Sequence, residues 1–588
     1  SVKSEISEIR CKAKPPKSNF PLPLLKQLKI MKKNQEFVYG LFDKGTGMWR
    51  MTKEMYIDKC NEEFSSLDLD GNNRYLELDI DPTPKVKGKI KYRLNRSKCS
   101  DPKLKAQLSG DRGIAPRVYV QVKVHKLGYP FRFIFSMCQS PVDGLSKYFT
   151  KMFWPFLKNE PRMVQASNEM ASKIRRTNQD NRKWVSFDVV ALYPSVPVDK
   201  MIDLMCDILV SCSDLKSRTP FSVQEIREFL EIILNHGNYF VSMGKFYRLV
   251  NMGPIGNSFL TVGSECFMQH IESRALNTAT LSMSNFSTSD FEFWKHYVDD
   301  VLDSVQLDFD VTRFLDYLNS FEPRIKFTVE SQEGSEFSFL DIRMITNEDG
   351  SVETSVYRKK THTNLYSNFN SFCHFKAKSS VIQCSTRRAL NYCSSDELLK
   401  EELALVENVA VANGWMRSDA RAIIVKTEDR VYKDSFLKLR DADSYEQEKA
   451  KKRQDQKEKI RMAIPFPGQK LASHLTRVCA KYNIAPAFSS VNTIKSNLVH
   501  LKDPVSDLQK SGVVYQIPLN CGKSYIGETD RLWQKRKEDH IGYLKGMNVR
   551  DSAILDHLLN CQKDCGHPSP GVMWDSCKIL EQETHKVK

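Results

Sequence analysis

Two aspartates stand side by side inside an apolar run, His296-Tyr297-Val298-Asp299-Asp300-Val301-Leu302. A plain strand holds such a pair badly. Like charges repel, and a buried ion costs several kcal/mol unless something neutralises it. A divalent cation neutralises it; the alternative is a polar turn joining two strands. A distant segment weighs on the choice. The run from Trp184 to Tyr193 begins as a strand, in which Val185, Phe187 and Val189 point one way and Asp188 the other. One carboxylate at a strand end and a pair at a hairpin can together clamp two cations about 3.5–4 Å apart. That geometry supports in-line attack of a 3′-hydroxyl on a nucleotide phosphate. Taken alone, Asp188 also reads as a strand-end cap.

Between these segments lies Asn251-Met252-Gly253-Pro254-Ile255-Gly256-Asn257-Ser258, whose glycines let a backbone come close to a base or sugar. Upstream, Val118, Val120, Val122 and Val124 alternate with polar residues, and a second strand over Phe131–Phe135 follows Gly128 and Pro130. A hairpin is expected there. Its cations Lys123, His125, Lys126 and Arg132 suit a triphosphate; the alternative is an exposed basic hairpin. Ile226, Phe229, Leu230 and Ile233 are spaced as one helix face, Ile325, Phe327 and Val329 as a strand, and residues 396–410 as a helix.

Charge narrows the partner. The 588-residue chain has 88 lysines and arginines against 72 acidic residues, a net +16. Such a balance favours a polyanion, since each neutralised phosphate releases counterions. DNA, RNA and an anionic membrane surface all remain open on this ground, as does a generic basic surface. No apolar run approaches the roughly 18 residues of a membrane span, and no solenoid or propeller period is visible. The fifteen scattered cysteines and the lack of a signal peptide favour a reducing compartment. The chain begins at Ser1, so a preceding segment is expected. Residues 1–40 are basic and proline-spotted. Residues 41–115 mix charge with the turn-rich run Asp68, Asp70, Gly71, Asn72 and Asn73. Residues 441–461 are nearly all polar, with a basic stretch over 449–461 that suits a solvated helix, a linker or a nuclear import signal. Pro465 and Pro467 break it, and a second linker is expected near Asp503–Lys510. A compact strand–strand–helix unit follows, with Tyr515 and Tyr525 on the strands and Arg536 and His540 one turn apart on the helix.

Together Asp188, Asp299 and Asp300 resemble motifs A and C of reverse transcriptases, and the 251–258 loop resembles motif B between them. The resemblance implies that Asp188 and Asp299 hold two magnesium ions, with Asp300 assisting. It implies that Tyr193 gates against a 2′-hydroxyl by steric overlap, that Gly256 packs the incoming nucleotide, and that Arg132 and then Lys123 grip its phosphates. Asp43-Lys44-Gly45, Lys123-Val124-His125-Lys126, Phe339-Leu340-Asp341, the run Thr354–Thr363, Asn413-Gly414-Trp415, Asn492-Thr493-Ile494 and Lys502-Asp503-Pro504-Val505 are similar to segments of Penelope-like retroelement enzymes. That family is similar to telomerase catalytic subunits. It implies an RNA-directed DNA polymerase acting by target-primed reverse transcription, with template RNA, target or primer DNA and deoxynucleoside triphosphates as partners, no membrane, and a nuclear location. The oligomeric state stays open.

The C-terminal unit resembles a GIY-YIG endonuclease. This implies one magnesium ion, Tyr515 or Tyr525 positioning or deprotonating a water, and Arg536, with His540 beside it, stabilising charge on phosphorus. The family's metal-binding glutamate is expected beyond Lys588, with Glu581 and Glu583 as imperfect substitutes, so weak or absent nicking is expected. Relatives carry zinc, and a four-ligand site can be drawn from Cys521, His557, Cys561, Cys565 and His567; the alternative is reduced cysteines in an irregular loop.

The expected fold class is multidomain α+β: a right-hand reverse transcriptase of fingers, palm and helical thumb, plus a small α/β GIY-YIG nuclease domain. The expected boundaries are 1–115 for an N-terminal extension, 116–345 for fingers and palm, 346–465 for the thumb, 466–508 for a linker and 509–588 for the nuclease domain, cut short at its C-terminus. A catalytically decayed nucleic-acid-binding relic is the alternative function, and a nuclease on an inert scaffold a third.

Overall fold

A computed structural model describes residues 21–582 except 46, 69–70, 125, 285, 361, 491–492, 548 and 568–569. His125, Asp70, Thr361, Asn492 and Glu583 therefore lie outside the described residues. Strands β1 (Phe37–Leu41) and β2 (Met48–Thr52) form a hairpin around the Asp43-Lys44-Gly45 turn. β3 (Tyr75–Leu78) comes next, then the expected hairpin of β4 (Arg117–Val122) and β5 (Phe131–Ser136). β6 (Arg182–Val189) carries Asp188. β7 (Tyr239–Ser242), β8 (Lys245–Leu249), β9 (Lys295–Tyr297), β10 (Asp300–Gln306) and β11 (Phe327–Ser331) complete this half.

β1 and β2 stay a two-stranded sheet, while β3 to β11 build a five-stranded sheet ordered β3-β8-β7-β4-β5 and a four-stranded one ordered β11-β6-β10-β9. One apolar core joins them, running from Trp49 through Phe149, Phe187 and Phe259 to Phe327. The expected boundary at 115 is thus not a core boundary. Tyr75–Leu78 is the edge strand of the five-stranded sheet, and the helices Lys53–Phe64 and Thr83–Arg96 bury Tyr56, Cys60, Phe64, Val86, Ile90 and Leu94 in that same core. Each set recurs every four residues, one helix face pressed against the sheet.

Beyond the core, β12 (Glu336–Phe339), β13 (Ile342–Thr346) and β14 (Val352–Val356) form a three-stranded sheet. β13 runs straight through the expected boundary at 345. The helices Phe375–Tyr392, Asp396–Ala412 and Arg417–Arg440 pack around Ile382, Val406, Ala410, Trp415 and Ile424. Buried Asn413 stitches the turn between two of them to the preceding segment: its Nδ2 donates to Asn364 C=O at 2.9 Å and its Oδ1 accepts from Tyr366 N at 2.9 Å. Most of the basic run lies on the exposed helix Ala442–Glu458, with Lys459 capping it and Arg461 in the strand that follows.

The stretch expected as a linker over 466–508 is instead largely ordered structure. β15 (Ile460–Pro465) pairs in parallel with β16 (Ile484–Ser489), and the helix Gln469–Lys481 crosses between them, burying Ala472, Leu475 and Cys479. Its apolar residues fall at helical spacing between two short strands, which the prolines and lysines obscure. Lys502 and Asp503 then strap the chain to the five-stranded sheet. Asp503 accepts from Met243 N at 3.0 Å and Gly244 N at 2.9 Å, and Lys502 Nζ donates to Ser136 Oγ at 3.0 Å. Finally β17 (Val513–Pro518), β18 (Ser524–Thr529) and β19 (Lys578–Gln582) form a sheet ordered β18-β17-β19, covered by the helices Trp533–Lys545 and Ala553–Cys565. Among the described residues no helix is long and apolar enough to cross a membrane.

Candidate active site

β9 and β10 are joined by a two-residue turn, Val298-Asp299, with Tyr297 paired to Asp300. Val298 sits at φ +61°. A β-branched residue there is strained by on the order of 1–3 kcal/mol, so the flanking strands must be held firmly. On its other edge β10 pairs with β6, and Asp300 lies directly opposite Asp188. Opposed residues in antiparallel strands have Cβ atoms about 4.5–5.5 Å apart and share a face. Val189 N donates to Asp299 C=O at 3.2 Å, fixing the turn against β6. Asp188 and the distant Asp299-Asp300 pair therefore meet at one strand end.

Burial pushes the Asp300 carboxyl up to about 6, and the charges of Asp299 and Asp188 add to the rise. Asp188 is likewise raised, by desolvation and then by Asp299. Carboxylates gathered this closely form a hard-oxygen donor set with a surplus of negative charge, which is the donor chemistry magnesium takes. Another aspartate of β10, Asp303, is fully buried, and burial pushes it well up, toward the neutral form.

The hairpin is braced from behind by residues the sequence reading passed over. His296 is wholly buried, with Nε2 2.7 Å from Glu265 Oε1 and Nδ1 2.8 Å from Glu272 Oε2. Trp294 Nε1 donates to Glu272 at 3.0 Å, and Gln269 Nε2 to Glu265 at 2.8 Å. Burial opposes a charge on the imidazole, but its hydrogen bond to Glu265 and the adjacent Glu272 carboxylate outweigh that and hold it at about 10. Both glutamates sit on the helix Ser258–Ala275, which follows the 251–258 loop. Polar Glu265, Gln269 and Glu272 at helical spacing within a buried helix were the available signal.

That loop is pinned to the five-stranded sheet. Phe135 N donates to Ile255 C=O at 2.8 Å, and a Cβ on Gly256, at φ +125°, would lie 2.2 Å from Phe135 O. Glycine is needed here to let backbone approach backbone. Tyr193 lies on the short helix Leu192–Ser195, hydrogen-bonded to Thr261 and in electrostatic reach of Asp299; burial raises its phenol. Arg132 pairs with Asp43 at 3.1 Å, the Asp43 side chain being only 2% exposed. Lys123 lies beside Arg132, and burial and then that guanidinium lower its ammonium.

The C-terminal unit gathers a second cluster. Arg536 Nε donates to Tyr515 Oη at 3.0 Å, and the same oxygen lies 2.8 Å from His540 Nε2. A guanidinium can only donate, so the phenol oxygen accepts from it and turns its own proton to the imidazole. Burial, and then Arg536, pull His540 down to about 4, so the imidazole is neutral near pH 7 and can accept. The Tyr525 ring lies 5.4 Å from His540 and 6.3 Å from Tyr515, centre to centre. Glu581 stands across from Val514, away from the buried Tyr515 side chain.

Beside it, donor atoms of Cys521, His557, Cys561 and Cys565 all lie within 4.8 Å of one another. Three come from one helix at spacing four and the other from the turn between β17 and β18, a donor set that fits tetrahedral zinc. The His557 imidazole, above all, pulls the Cys521 thiol down to about 7. His567, the fifth candidate, is not one of this group.

The Animal helix-turn-helix domain family matches residues 365–418, which include the helices Phe375–Tyr392 and Asp396–Ala412. No curated protein matches the chain. Telomerase from Candida albicans, solved with a TWJ fragment of telomeric RNA, is similar at 11% identity and TM-score 0.42, over 68% of this chain and 65% of that one. Apo telomerase from Candida tropicalis is similar at 10% identity and TM-score 0.41, over 68% and 69%. The BmCPV RNA-dependent RNA polymerase at its elongation state is similar at 13% identity and TM-score 0.33, over 60% and 31%. The chain thus spans just under two thirds of the Candida albicans telomerase chain.

Proposed function

We propose that this chain is a template-directed nucleotidyl transferase, specifically an RNA-directed DNA polymerase of the Penelope-like kind carrying a GIY-YIG nicking module. The observation that carries the first part is Asp188 standing opposite Asp300 across β6 and β10, with Asp299 in the adjoining turn. In this reading the four-stranded sheet is the palm, the five-stranded sheet the fingers and the helices from Phe375 the thumb. Asp188, Asp299 and Asp300 would hold two magnesium ions, which when bound supply Lewis-acid stabilisation of the attacking and leaving oxygens.

The chain's own groups do the rest. Arg132 and Lys123 grip the triphosphate, and Asp43 keeps Arg132 aimed. The primer 3′-oxygen bonds to the α-phosphorus, the bond to the β-phosphate breaks, and pyrophosphate leaves. Tyr193 blocks the 2′-hydroxyl of a ribonucleotide by bulk. Template RNA and a DNA primer end are the partners, and the basic stretch 449–461 and the chromosomal substrate favour a nuclear site.

In the C-terminal module, the Tyr515–His540 contact gives the phenol an acceptor for its proton, so Tyr515 can position or activate a water. Arg536 supplies charge toward a phosphate. One magnesium ion belongs to this chemistry, and no described residue stands out as its carboxylate ligand. Zinc fits Cys521, His557, Cys561 and Cys565 as a structural ion.

The test is primer extension on an RNA template with magnesium, comparing deoxy- with ribonucleotides. Asp188→Ala and Asp299→Ala should abolish extension and leave RNA binding intact, and Tyr193→Ala should admit ribonucleotides. Extension by either aspartate variant at the parent's rate removes the metal-site assignment. No product and no nicking from the parent with any divalent ion favours the decayed relic, and plasmid nicking without any primer extension favours the nuclease.

A further inference from the structure

The helix Arg417–Arg440 outgrows the core it is rooted in. Its buried residues, Ala420, Ile424 and Thr427, all lie in its first half. Among the described residues from 428 to 460 none is buried, so the outer turns of this helix and the helix Ala442–Glu458 stand off the body. The chain then comes back. β15 opens at Ile460, and the unit it begins is tied to the start of the helix Phe375–Tyr392: Phe375 N donates to Gln469 Oε1 at 3.0 Å, and Ser490 Oγ to Phe372 C=O at 3.2 Å. Residues 428–458 therefore form a two-helix arm reaching about 20 Å from the thumb-like core. Helices of this length are marginal in water unless one face is covered.

The arm is aromatic and basic. Tyr432 and Phe436, one turn apart on one face, are 58% and 64% exposed. Arg430, Lys433, Lys438 and Arg440 flank them, against Asp434. Residues 449–461 add seven lysines and arginines against Asp455 and Glu458. The remaining acids gather at the bend, where they serve the second helix. Asp441 caps it, accepting from Ser444 N at 2.9 Å, and Glu446 and Glu448 pair with Lys449 and Lys452 at 3.7 and 2.6 Å.

The pattern of this face selects its occupant. Val425, Tyr432 and Leu439 recur every seven residues, as one row of a coiled-coil seam does, but the companion row three residues on holds Glu428 and Ser435. A helix laid there, from a second copy of the chain, would bury both polar groups. A single nucleic-acid strand has no such conflict: its bases stack on the open rings and its phosphates meet the flanking cations. A duplex, whose bases already stack on one another, leaves the rings uncovered.

We propose that this arm holds single-stranded RNA, the stretch of template beyond the bases being copied, with Tyr432 and Phe436 as the stacking platform. Calling that RNA the template rests on the polymerase reading; the contact with the arm does not.

Three variants are compared with the full-length parent: Tyr432→Ala with Phe436→Ala, Tyr432→Trp with Phe436→Trp, and Lys449, Lys451, Lys452 and Arg453 all changed to glutamine. The measurements are the Kd for an unstructured single-stranded RNA over a range of salt, the Kd for an RNA·DNA duplex, oligomeric state by light scattering, and KM for primed templates whose unpaired RNA is short or long. The double alanine variant should weaken single-strand binding about tenfold or more, with duplex Kd unchanged, and the double tryptophan variant should retain binding. The glutamine variant should flatten the dependence of log Kd on log salt by about 3. Template KM should rise only where the unpaired RNA is long, with kcat unchanged. An unchanged single-strand Kd in the double alanine variant overturns the proposal. So does an equal loss on the duplex, a KM effect that follows unpaired DNA on the primer instead of unpaired RNA, or a parent dimer that this variant dissociates without loss of RNA affinity. A parent that extends no primer but loses RNA with its two rings refutes the polymerase reading and supports the arm. A parent that binds no single-stranded RNA overturns it.

Discussion

Replacing His296 by glutamine tests whether the carboxylate hairpin is held from behind. The imidazole is wholly buried between Glu265 and Glu272, at 2.7 and 2.8 Å. Removing one partner of such a set leaves two carboxylates facing each other without a cation, which costs about 3–5 kcal/mol. For a unit this large, that lowers Tm by about 5–8 °C. The pH dependence gives a sharper signature. The folded-state imidazole is held at about 10 against 6.5 ordinarily. Folding therefore favours the protonated form, and the contribution is fully present below about pH 6.5 and lost as pH rises through about 10. The Tm gap between parent and His296→Gln should be widest near pH 6 and should close above about pH 10. Taking the gap, rather than either Tm, cancels the titration of lysines and tyrosines common to both. The measurement is thermal unfolding by circular dichroism across pH 6–10.5. A gap below about 1 °C at pH 6, or one that stays constant to pH 10.5, refutes the reasoning. Activity should follow: kcat falls because Asp299 and Asp300 lose their fixed register, while KM for nucleotide stays close to that of the parent.

Asp303→Asn should change stability by less than about 1 kcal/mol, because burial pushes the carboxyl toward its neutral form and the amide matches its shape; a chemical denaturation midpoint shifted well down would show the aspartate to be charged. Chelating zinc should unfold the C-terminal unit, and metal analysis of the purified chain should return one zinc that Cys561→Ser abolishes; a metal-free chain with a stable C-terminal unit would rule the site out. Asp503→Ala removes the acceptor for Met243 N and Gly244 N, so limited proteolysis should cut faster near residues 498–512; an unchanged cleavage pattern would mean the strap is held by other contacts.

What sequence could show followed from range. Asp188 announces itself because Val185, Phe187 and Val189 alternate around it, and the β4–β5 hairpin because its valines do. The Asp299-Asp300 pair stands out because no apolar strand tolerates it unaided. These are local patterns, and the elements they predicted are present. The segments misjudged as an extension and a linker also carried local patterns. Tyr56, Cys60 and Phe64, or Ala472, Leu475 and Cys479, mark helix faces, but between lysines and glutamates they read as mere composition. Their destinations, the edge of the five-stranded sheet and a parallel strand pair, are set by partners far along the chain. Sequence spacing cannot name those.

The same limit explains why the chemistry was legible before its supports were. The three carboxylates are conspicuous because they break the rule that strands bury apolar residues. The groups that hold them obey no such exception. Glu265 and Glu272 look like charges on a solvated helix until the fold closes His296 between them. The strained Val298 turn makes that dependence physical. A β-branched residue at φ +61° is kept there only while both strands are clamped, one by β6 and the other through His296 to the Ser258–Ala275 helix. Releasing either clamp should let the turn relax and carry Asp299 away from Asp188, so geometry at this strand end depends on residues no sequence pattern placed beside it.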